Sequence, residues 1–522
     1  MAKTLMTPGV YIDEKNAFPG SVVEVATAVP AFIGYTEKAT RSGKSLLKKP
    51  TKIKSFKDYI ELFGGAFNPQ FSLNPKSTDA EKPDKYLFTL NGTETAIDYL
   101  TNHEVYMFNS IRLFYSNGGG ACYIVSVGTY ADAPVAIDKP QILEGLETLK
   151  KEQEPTMVLV PDAVKLGDGC YDIYKQVLAH CNHMQSRVGI FDIYDGIEER
   201  IVGNSDVDVV TKFREKIGSE FLKYGATYYP WLETSIVSKQ DLTFENLDPS
   251  IDLKTILLET DAQEIIKNYN NPAAQGASED ATADDADVPA TEAAATGEKT
   301  DTEKTNFHLG LLATSPTYVN LLEELRRIIN LMPPSAAMAG VYTMVDNNRG
   351  VWKSPANVSV NDVIKPSANI THDEQENLNV DAISGKSINA IRTFPGVGTL
   401  VWGGRTLDGN SLDWRYINVR RTMIMLEQSI KLALRSYVFE PNDANTWVTV
   451  KSMIDNYLTE KWKQGALAGS TPEDAFSVNI GLGNTMTSLD ILEGKMLISV
   501  KLAIVRPAEF IVVSFEQQMQ KS

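Results

Sequence analysis

The chain has few cysteines and histidines and no long apolar run. Its 522 residues include 3 Cys and 5 His. Three cysteines are too few for the disulfide framework of a small secreted domain. No stretch reaches the roughly 20 uncharged apolar residues of a membrane-spanning helix. Near the N-terminus, the sequence reaches Pro8-Gly9 before any apolar run as long as that of a signal peptide. We therefore expect a protein that is made in the cytoplasm without a signal peptide and does not insert into a membrane.

Basic residues are in the minority, with 50 Lys and Arg against 67 Asp and Glu and a formal net charge of -17. Neutralising phosphates requires a basic surface, so we expect no nucleic-acid partner. Residues 272–305 contain nine acidic residues, two lysines and no aromatic residue. That composition cannot bury enough apolar surface to offset the entropy of ordering. It predicts an acidic flexible loop, which is either a solvated insertion or a docking segment for a basic partner.

Cofactor and metal motifs are incomplete. Gly43-Lys44-Ser45 and Gly385-Lys386-Ser387 resemble the end of a phosphate-binding loop, but Lys38 and Val380 replace its first glycine. One group of potential zinc ligands lacks the paired spacing of a structural zinc site, namely Cys170, His180, Cys181 and His183. We therefore predict no cofactor and no metal site.

Asp162 and Asp192 each follow a predicted strand, where catalytic acids of α/β sheets are often found. No Gly-x-Ser-x-Gly motif or two-histidine zinc helix accompanies them. Two interpretations stay open, an α/β hydrolase with extended termini or aspartates that cap the following helices. The second is favoured, and we predict no catalytic residue.

Short β-branched runs alternate with amphipathic stretches in the first half of the chain. Strands are predicted at 121–127, 157–160, 187–193 and 226–231, and helices at about 141–151, 171–184 and 207–224. This alternation predicts a sheet flanked by helices, in a mixed α/β protein.

The second half predicts long helices followed by strands. A helix at 318–331 precedes an irregular region from 335 to about 379. In the next helix an apolar stripe runs from Tyr416 to Tyr437, and Arg421, Gln428 and Arg435 fall on its polar face. A further helix is predicted at about 445–467, and strands at 476–482, 496–505 and 509–515.

The two chain ends are predicted to be β-rich arms. Val22, Val23 and Val25 lie between Pro19-Gly20 and Pro30, and a short isolated strand can satisfy its buried backbone groups only by pairing. Strand addition to another subunit would turn those hydrogen bonds into an assembly force. The residues alone do not distinguish this from pairing within one subunit.

The chain resembles the contractile tail sheath family of phages, R-type pyocins and extracellular contractile injection systems. The matching motifs run in order along nearly the whole sequence: Thr7-Pro8-Gly9-Val10-Tyr11-Ile12-Asp13-Glu14, Phe114-Tyr115-Ser116-Asn117-Gly118-Gly119, Tyr229-Pro230-Trp231, Asp346-Asn347-Asn348-Arg349-Gly350-Val351-Trp352-Lys353, Trp402-Gly403-Gly404-Arg405-Thr406-Leu407, Phe439-Glu440-Pro441-Asn442 and Pro507-Ala508-Glu509-Phe510-Ile511. Residues 232–335 appear as an insertion relative to the family.

The resemblance implies a multidomain sheath fold whose core domain is built from both chain ends. The expected divisions are an N-terminal arm with the first part of the core domain (1–35), a small inserted domain (36–110), an α/β middle domain (111–231), a variable outer insertion (232–335), the return of the middle domain (336–390) and the C-terminal core domain with its arm (391–522). It also implies homo-hexameric rings, stacked helically around an inner tube protein, with baseplate and tail-terminator or cap proteins as further partners. The contracted lattice would be the lower-energy form.

Two sets of residues are predicted to act in assembly. Strand exchange between subunits is predicted for Val22, Val23, Val25, Ile498, Val500, Leu502, Ile511, Val513 and Phe515. Contact with the inner tube is predicted for Arg421, Gln428, Arg435, Lys451 and Lys461, because cationic side chains could meet an acidic tube exterior. Besides the hydrolase, a filament protein that polymerises without a tube is the remaining alternative.

Overall fold

The computed structural model describes residues 22–78, 84–130, 134, 136–201, 207–270, 299–381 and 383–514. The motif Thr7–Glu14, Phe515 and the acidic residues 271–298 lie outside these ranges, so the predicted acidic loop is described only from residue 299 onward.

The strands in chain order are β1 (Pro30–Thr36), β2 (Thr40–Arg41), β3 (Lys44–Ser45), β4 (Thr51–Ile53), β5 (Phe71–Pro75), β6 (Leu87–Leu90), β7 (Thr93–Tyr99), β8 (Cys122–Thr129), β9 (Met157–Leu159), β10 (Val188–Asp192), β11 (Gly225–Tyr229), β12 (Leu232–Thr234), β13 (Leu331–Met332), β14 (Val358–Ser359), β15 (Val363–Pro366), β16 (Asn389–Phe394), β17 (Gly398–Val401), β18 (Phe476–Ile480) and β19 (Ile498–Leu502).

The helices are α1 (Phe56–Phe63), α2 (Met107–Ser116), α3 (Lys139–Thr148), α4 (Cys170–Met184), α5 (Val209–Lys216), α6 (Leu253–Ile256), α7 (Thr260–Asn270), α8 (Asp301–Thr314), α9 (Pro316–Ile329), α10 (Ser335–Arg349), α11 (His372–Asn379), α12 (Ile417–Leu434), α13 (Ala444–Lys463), α14 (Pro472–Ala475) and α15 (Ser488–Leu492).

A nine-stranded sheet organises the larger of two bodies, with the strand order β14-β17-β16-β11-β10-β9-β1-β8-β4. Neighbouring strands from β8 to β16 in this order are parallel, whereas β4, β17 and β14 join antiparallel at the edges. All seven residues of β1 are buried, as expected for a central parallel strand covered by helices on both faces. The predicted mixed α/β class is confirmed.

A second, smaller body lies at the C-terminal end. Its core joins α12 and α13 to the β18–β19 hairpin through Met425, Leu426, Ile454 and Leu458. Val22 also lies in this core, so residues from both ends of the described chain pack together there.

Helices α7 and α8 pack against each other and against the core of the larger body, on either side of residues 271–298 in the sequence. The rings of Tyr269 on α7 and Phe307 on α8 stack with centroids 3.9 Å apart. Lys299 Nζ donates to the Tyr269 carbonyl at 2.8 Å. The two points where the chain leaves and re-enters the described structure are therefore adjacent.

Helix α10 is the largest departure from the predicted elements, since the region after residue 335 was expected to be irregular. It is buried on all sides from Ser335 to Thr343, so it carries no polar face and no apolar stripe. A Cβ on Gly340 would lie 2.5 Å from the Phe114 carbonyl oxygen, which shows how closely α10 packs against α2. Elsewhere the predicted helix at 207–224 ends at Lys216.

Candidate assembly surfaces

In the part of the chain that the structure describes, β18 and β19 form a two-stranded sheet to which no further strand is added. The strands pair antiparallel, with Val478 opposite Val500, and the Ala503 amide donates to the Ala475 carbonyl at 2.8 Å in the same register. Ala475 and Ala503 are thus a hydrogen-bonded pair. Because hydrogen-bonded and non-hydrogen-bonded pairs alternate along an antiparallel ladder, the pairs that contain Ile498, Val500 and Leu502 are non-hydrogen-bonded. The N–H groups of Ile498, Val500 and Leu502 therefore point away from β18, toward the outer edge of β19.

The C-terminal segment that follows β19 exposes a row of apolar side chains. Phe510, Ile511, Val512 and Val513 are 71%, 81%, 89% and 65% exposed. Residues 509–514 form no strand within the chain. Four consecutive exposed aromatic and β-branched residues have high β propensity, and an exposed apolar run of this kind is typical of interaction sites.

The N-terminal segment behaves differently, because part of it is held by its own chain. Val22 is buried in the second core, and the Val25 amide donates to Ser429 Oγ at 3.1 Å. Val23 is 78% exposed. Residues 22–27 form no strand, and among the described residues Val23 is the valine of the three whose side chain is exposed.

Arg421 is buried between the two bodies, so its predicted place on an exposed polar face is wrong. Its guanidinium donates to both carboxylate oxygens of Asp346, at 2.9 and 2.5 Å, and to the Thr27 carbonyl at 3.0 Å. It also lies 4.7 Å from the Tyr342 ring centroid. The first turns of α12 are buried all round, which is why the helical periodicity misplaced this residue.

Lys461 is also buried, contrary to its predicted exposure. Its ammonium group pairs with Glu24 of the N-terminal segment and donates to Gln464 Oε1 at 2.9 Å. Arg421 and Lys461 therefore fix the N-terminal segment to the second body and are not available to a tube protein.

The other three predicted tube contacts are accessible. Arg435 and Lys451 are exposed, and Gln428 is half-buried with its amide donating to the Gln185 carbonyl at 3.2 Å. Gln428 lies on α12, Arg435 in the single turn that follows α12, and Lys451 on α13.

Phe439 is an exposed aromatic residue that the sequence analysis did not list among the assembly residues. It lies in the turn between α12 and α13 with a fully exposed side chain and a φ of 75°. Positive φ is uncommon for a bulky residue and is typical of constrained, functional positions. The Phe439-Glu440-Pro441-Asn442 motif is the signal that pointed to this turn.

Asp162 is buried and binds backbone amides. One carboxylate oxygen accepts hydrogen bonds from the Tyr106 and Met107 amides at the start of α2, at 2.7 and 3.2 Å, and the other from the Tyr35 amide at 3.0 Å. Burial raises the pKa of Asp162 to about 6, against the lowering effect of these hydrogen bonds.

Asp192 has the same role at α10. Its carboxylate accepts hydrogen bonds from the Ser335 amide at 2.8 Å and from the Ser335 hydroxyl at 2.6 Å. Burial raises its pKa to about 7, although the bonds from Ser335 oppose this. Both aspartates therefore cap helices that are distant in sequence, and these contacts favour a structural role over a hydrolase site.

A titration experiment tests this assignment of Asp192. The raised pKa means that protonation stabilises the folded chain; this contribution is complete below the unfolded pKa of about 4 and is lost as the pH rises through about 7. A shift of this size corresponds to about 4 kcal/mol. We expect Asp192→Asn to flatten the pH dependence of thermal unfolding between pH 4 and 8, with Asp413→Asn, an exposed position, as the control. A variant curve parallel to the wild type would contradict the assignment.

The described residues contain no group of three His, Cys, Asp or Glu side chains that could hold a metal ion. Cys122, Cys170 and Cys181 are buried and form no disulfide. None of the helices in the described ranges is both long and apolar enough to cross a membrane.

Family models match the second half of the chain. The phage tail sheath protein central domain matches residues 269–407 and the phage tail sheath C-terminal domain matches residues 410–518. Tail sheath proteins of Vibrio phage KVP40 and Burkholderia phage BcepMu are 30% and 26% identical over 128 and 144 residues, which is 24% and 27% of this chain. These alignments span only 19% and 30% of the relatives' own length.

Solved structures match nearly the entire chain. The PVC sheath complex of an extracellular contractile injection system, in the contracted state, is 27% identical with a TM-score of 0.59, and 99% of each chain is covered. The contracted helical sheath of the anti-feeding prophage is 28% identical with a TM-score of 0.58, over 99% of this chain and 100% of that chain. The fold is thus that of contractile sheath subunits.

The sequence motifs, the two domain models and the matching structures all point to tail sheath proteins. The second half of the chain thus carries the two tail sheath domains, and the whole described fold is similar to that of contractile sheath subunits.

Proposed function

We propose that the chain is the structural, non-enzymatic sheath subunit of a contractile phage tail-like injection system. It polymerises as stacked hexameric rings around an inner tube and contracts to drive the tube through a target envelope. The subunit is made in the cytoplasm and joins a phage tail or a released phage tail-like particle. Baseplate proteins and tail-terminator or cap proteins close the polymer at its two ends.

The free edges of the β18–β19 hairpin carry this proposal. Within the described residues, each subunit offers a two-stranded sheet with unpaired edges and, at Phe510–Val513, an apolar segment that belongs to no strand. A strand donated by one copy would complete the sheet of the next, through Ile498, Val500 and Leu502 on the acceptor side. Ile511 and Val513, with Phe515 beyond the described residues, would supply the donor side.

Strand addition also explains how subunits could stay linked while they reorient. Each backbone hydrogen bond contributes about 0.5–1.5 kcal/mol net, and the sum is repeated at every link of the lattice. The connecting segments can bend while the sheets stay paired, so the globular bodies can move as rigid units.

We propose Gln428, Arg435 and Lys451 as the tube-facing residues. Two of the three carry positive charge on exposed helical surface, in a chain whose net charge is strongly negative. Complementary charge between sheath and tube would orient the rings during assembly.

Negative-stain microscopy of the full chain, alone and co-expressed with tube and baseplate proteins of a contractile system, tests the function. We expect cylinders around a tube when the partners are present. The double variant Arg435→Glu and Lys451→Glu is expected to lose tube-filled particles at least tenfold, whereas Glu473→Lys, at another exposed position, keeps them.

The outcomes separate the competing functions. Tube-filled cylinders that form equally well with the double variant would overturn the tube-contact assignment. Identical filaments with and without the tube protein would favour a tube-independent filament, and a persistently monomeric chain would contradict the sheath function.

A further inference from the structure

Glu509 is a partly buried acidic residue immediately before the exposed apolar segment. Its carboxylate accepts hydrogen bonds from Arg405 Nε at 3.0 and 3.2 Å and from Arg405 Nη2 at 2.6 Å. Asn379 Nδ2 donates to it at 2.8 Å and the Tyr416 hydroxyl at 3.0 Å. Bidentate arginine–carboxylate contacts of this kind are among the stronger polar interactions in proteins.

The groups that bind Glu509 are fixed in place by other contacts. The Arg405 amide donates to Asn389 Oδ1 at 2.7 Å, and Asn389 Nδ2 donates back to the Arg405 carbonyl at 2.8 Å. Arg405 Nη1 also donates to the Asn379 carbonyl at 2.9 Å. Only 3% of the Arg405 side chain is exposed. We name Arg405, Asn379 and Tyr416 the carboxylate cradle.

The carboxylate cradle spans both bodies of the subunit. Asn389 begins β16 of the nine-stranded sheet, and its side chain also donates to the Thr227 carbonyl of β11 at 3.1 Å. Tyr416 is the N-cap residue of α12 in the second body. A carboxylate held here is therefore attached to the larger sheet and to the C-terminal helices at once.

Glu509 lies between a bonded stretch of the C-terminal segment and an exposed one. Before it, the Val505 amide donates to the Ala466 carbonyl at 3.2 Å and the Val505 carbonyl accepts from Asn418 Nδ2 at 3.3 Å. After it, the side chains of residues 510–513 are exposed. Burial acts to raise the pKa of Glu509, but the hydrogen bonds from Arg405 and Asn379 outweigh it and hold the pKa below its usual value.

We propose that the carboxylate cradle anchors the C-terminal segment at Glu509 and fixes the point from which residues 510–514 leave to reach a second copy of the chain. The five residues after the anchor span about 17 Å when extended. Tension on a donated strand would then pass through Glu509 into both bodies of the donor rather than into β19 alone. The role in assembly rests on the proposed function; the anchor itself does not.

Hydrogen exchange on the unassembled full chain tests the anchor. We expect Glu509→Gln, which keeps the shape and removes the charge, to speed exchange of the Val505 amide, which donates to the Ala466 carbonyl, at least fivefold. Tyr416→Phe removes one donor and should give a smaller acceleration. Glu473→Gln, an exposed position, should give none. Equal exchange in Glu509→Gln and wild type would overturn the anchor.

Microscopy of the same variants tests its role in assembly separately. We expect Glu509→Gln to form at least tenfold fewer cylinders than wild type under identical conditions. Faster exchange with an unchanged number of cylinders would keep the anchor and overturn its role in assembly. If wild type itself forms no cylinders, the proposed function fails, and the exchange data alone still decide whether Glu509 is anchored.

Discussion

Replacing Arg421 by methionine is expected to lower the free energy of unfolding by about 3–5 kcal/mol. The side chain of its partner, Asp346, is 2% exposed, so the substitution leaves a buried carboxylate without a counter-charge. It also removes the donor to the Thr27 carbonyl, which loosens the N-terminal segment. Urea unfolding followed by tryptophan fluorescence and by circular dichroism measures the loss.

Two further variants show whether the unpaired charge is the cause. Arg421→Met combined with Asp346→Leu removes both charges and should recover most of the stability, because well-packed apolar side chains often replace a buried ion pair without loss. Arg435→Met, near the exposed end of the same helical region, should change stability by no more than about 0.5 kcal/mol. A single variant at Arg421 that unfolds like wild type would refute the burial of this pair.

Removing the apolar character of the C-terminal segment is expected to abolish polymerisation without unfolding the subunit. The combined substitution Phe510→Gly, Ile511→Ser, Val512→Gly and Val513→Ser keeps the chain length. If two of these side chains are buried in each link at about 1.5 kcal/mol each, the loss of about 3 kcal/mol weakens each link more than 100-fold. Sedimentation and negative-stain microscopy measure the loss of polymer.

The control for this variant is Leu492→Ser, at an exposed apolar position in the same body. It should polymerise like wild type. Both chains should unfold at the wild-type temperature, since the altered side chains are already exposed. Normal cylinders from the quadruple variant would show that subunits are joined by some other surface.

Local patterns predicted four strands of the nine-stranded sheet, β8 to β11, and the helices α3, α4, α5 and α9. Met157–Leu159, Cys170–Met184 and Val188–Asp192 match their predicted positions within a few residues. The two strands stand out as short apolar runs, and the helix as a longer amphipathic stretch. Helix α10 was not predictable in this way, since burial on every side removes the periodic signal.

The candidate assembly residues show the same limit. An apolar stripe identifies the buried face of a helix only where the opposite face meets solvent. Helix α12 begins between the two bodies, and the sequence does not show how these bodies are arranged. Arg421 therefore looked exposed although it is buried against Asp346. The carboxylate cradle was equally invisible, because Arg405 and Glu509 are 104 residues apart in the chain. Motif order identified the family, but only the fold brings these two residues together.

The paired ends of α7 and α8 make this subunit suitable as a carrier. The Tyr269–Phe307 ring stack and the Lys299 hydrogen bond hold the borders of residues 271–298 side by side. A compact foreign module whose own termini are neighbours could be grafted between these borders without pulling the helices apart. Repeated once per protomer, such a graft would turn the sheath into a regularly spaced display scaffold.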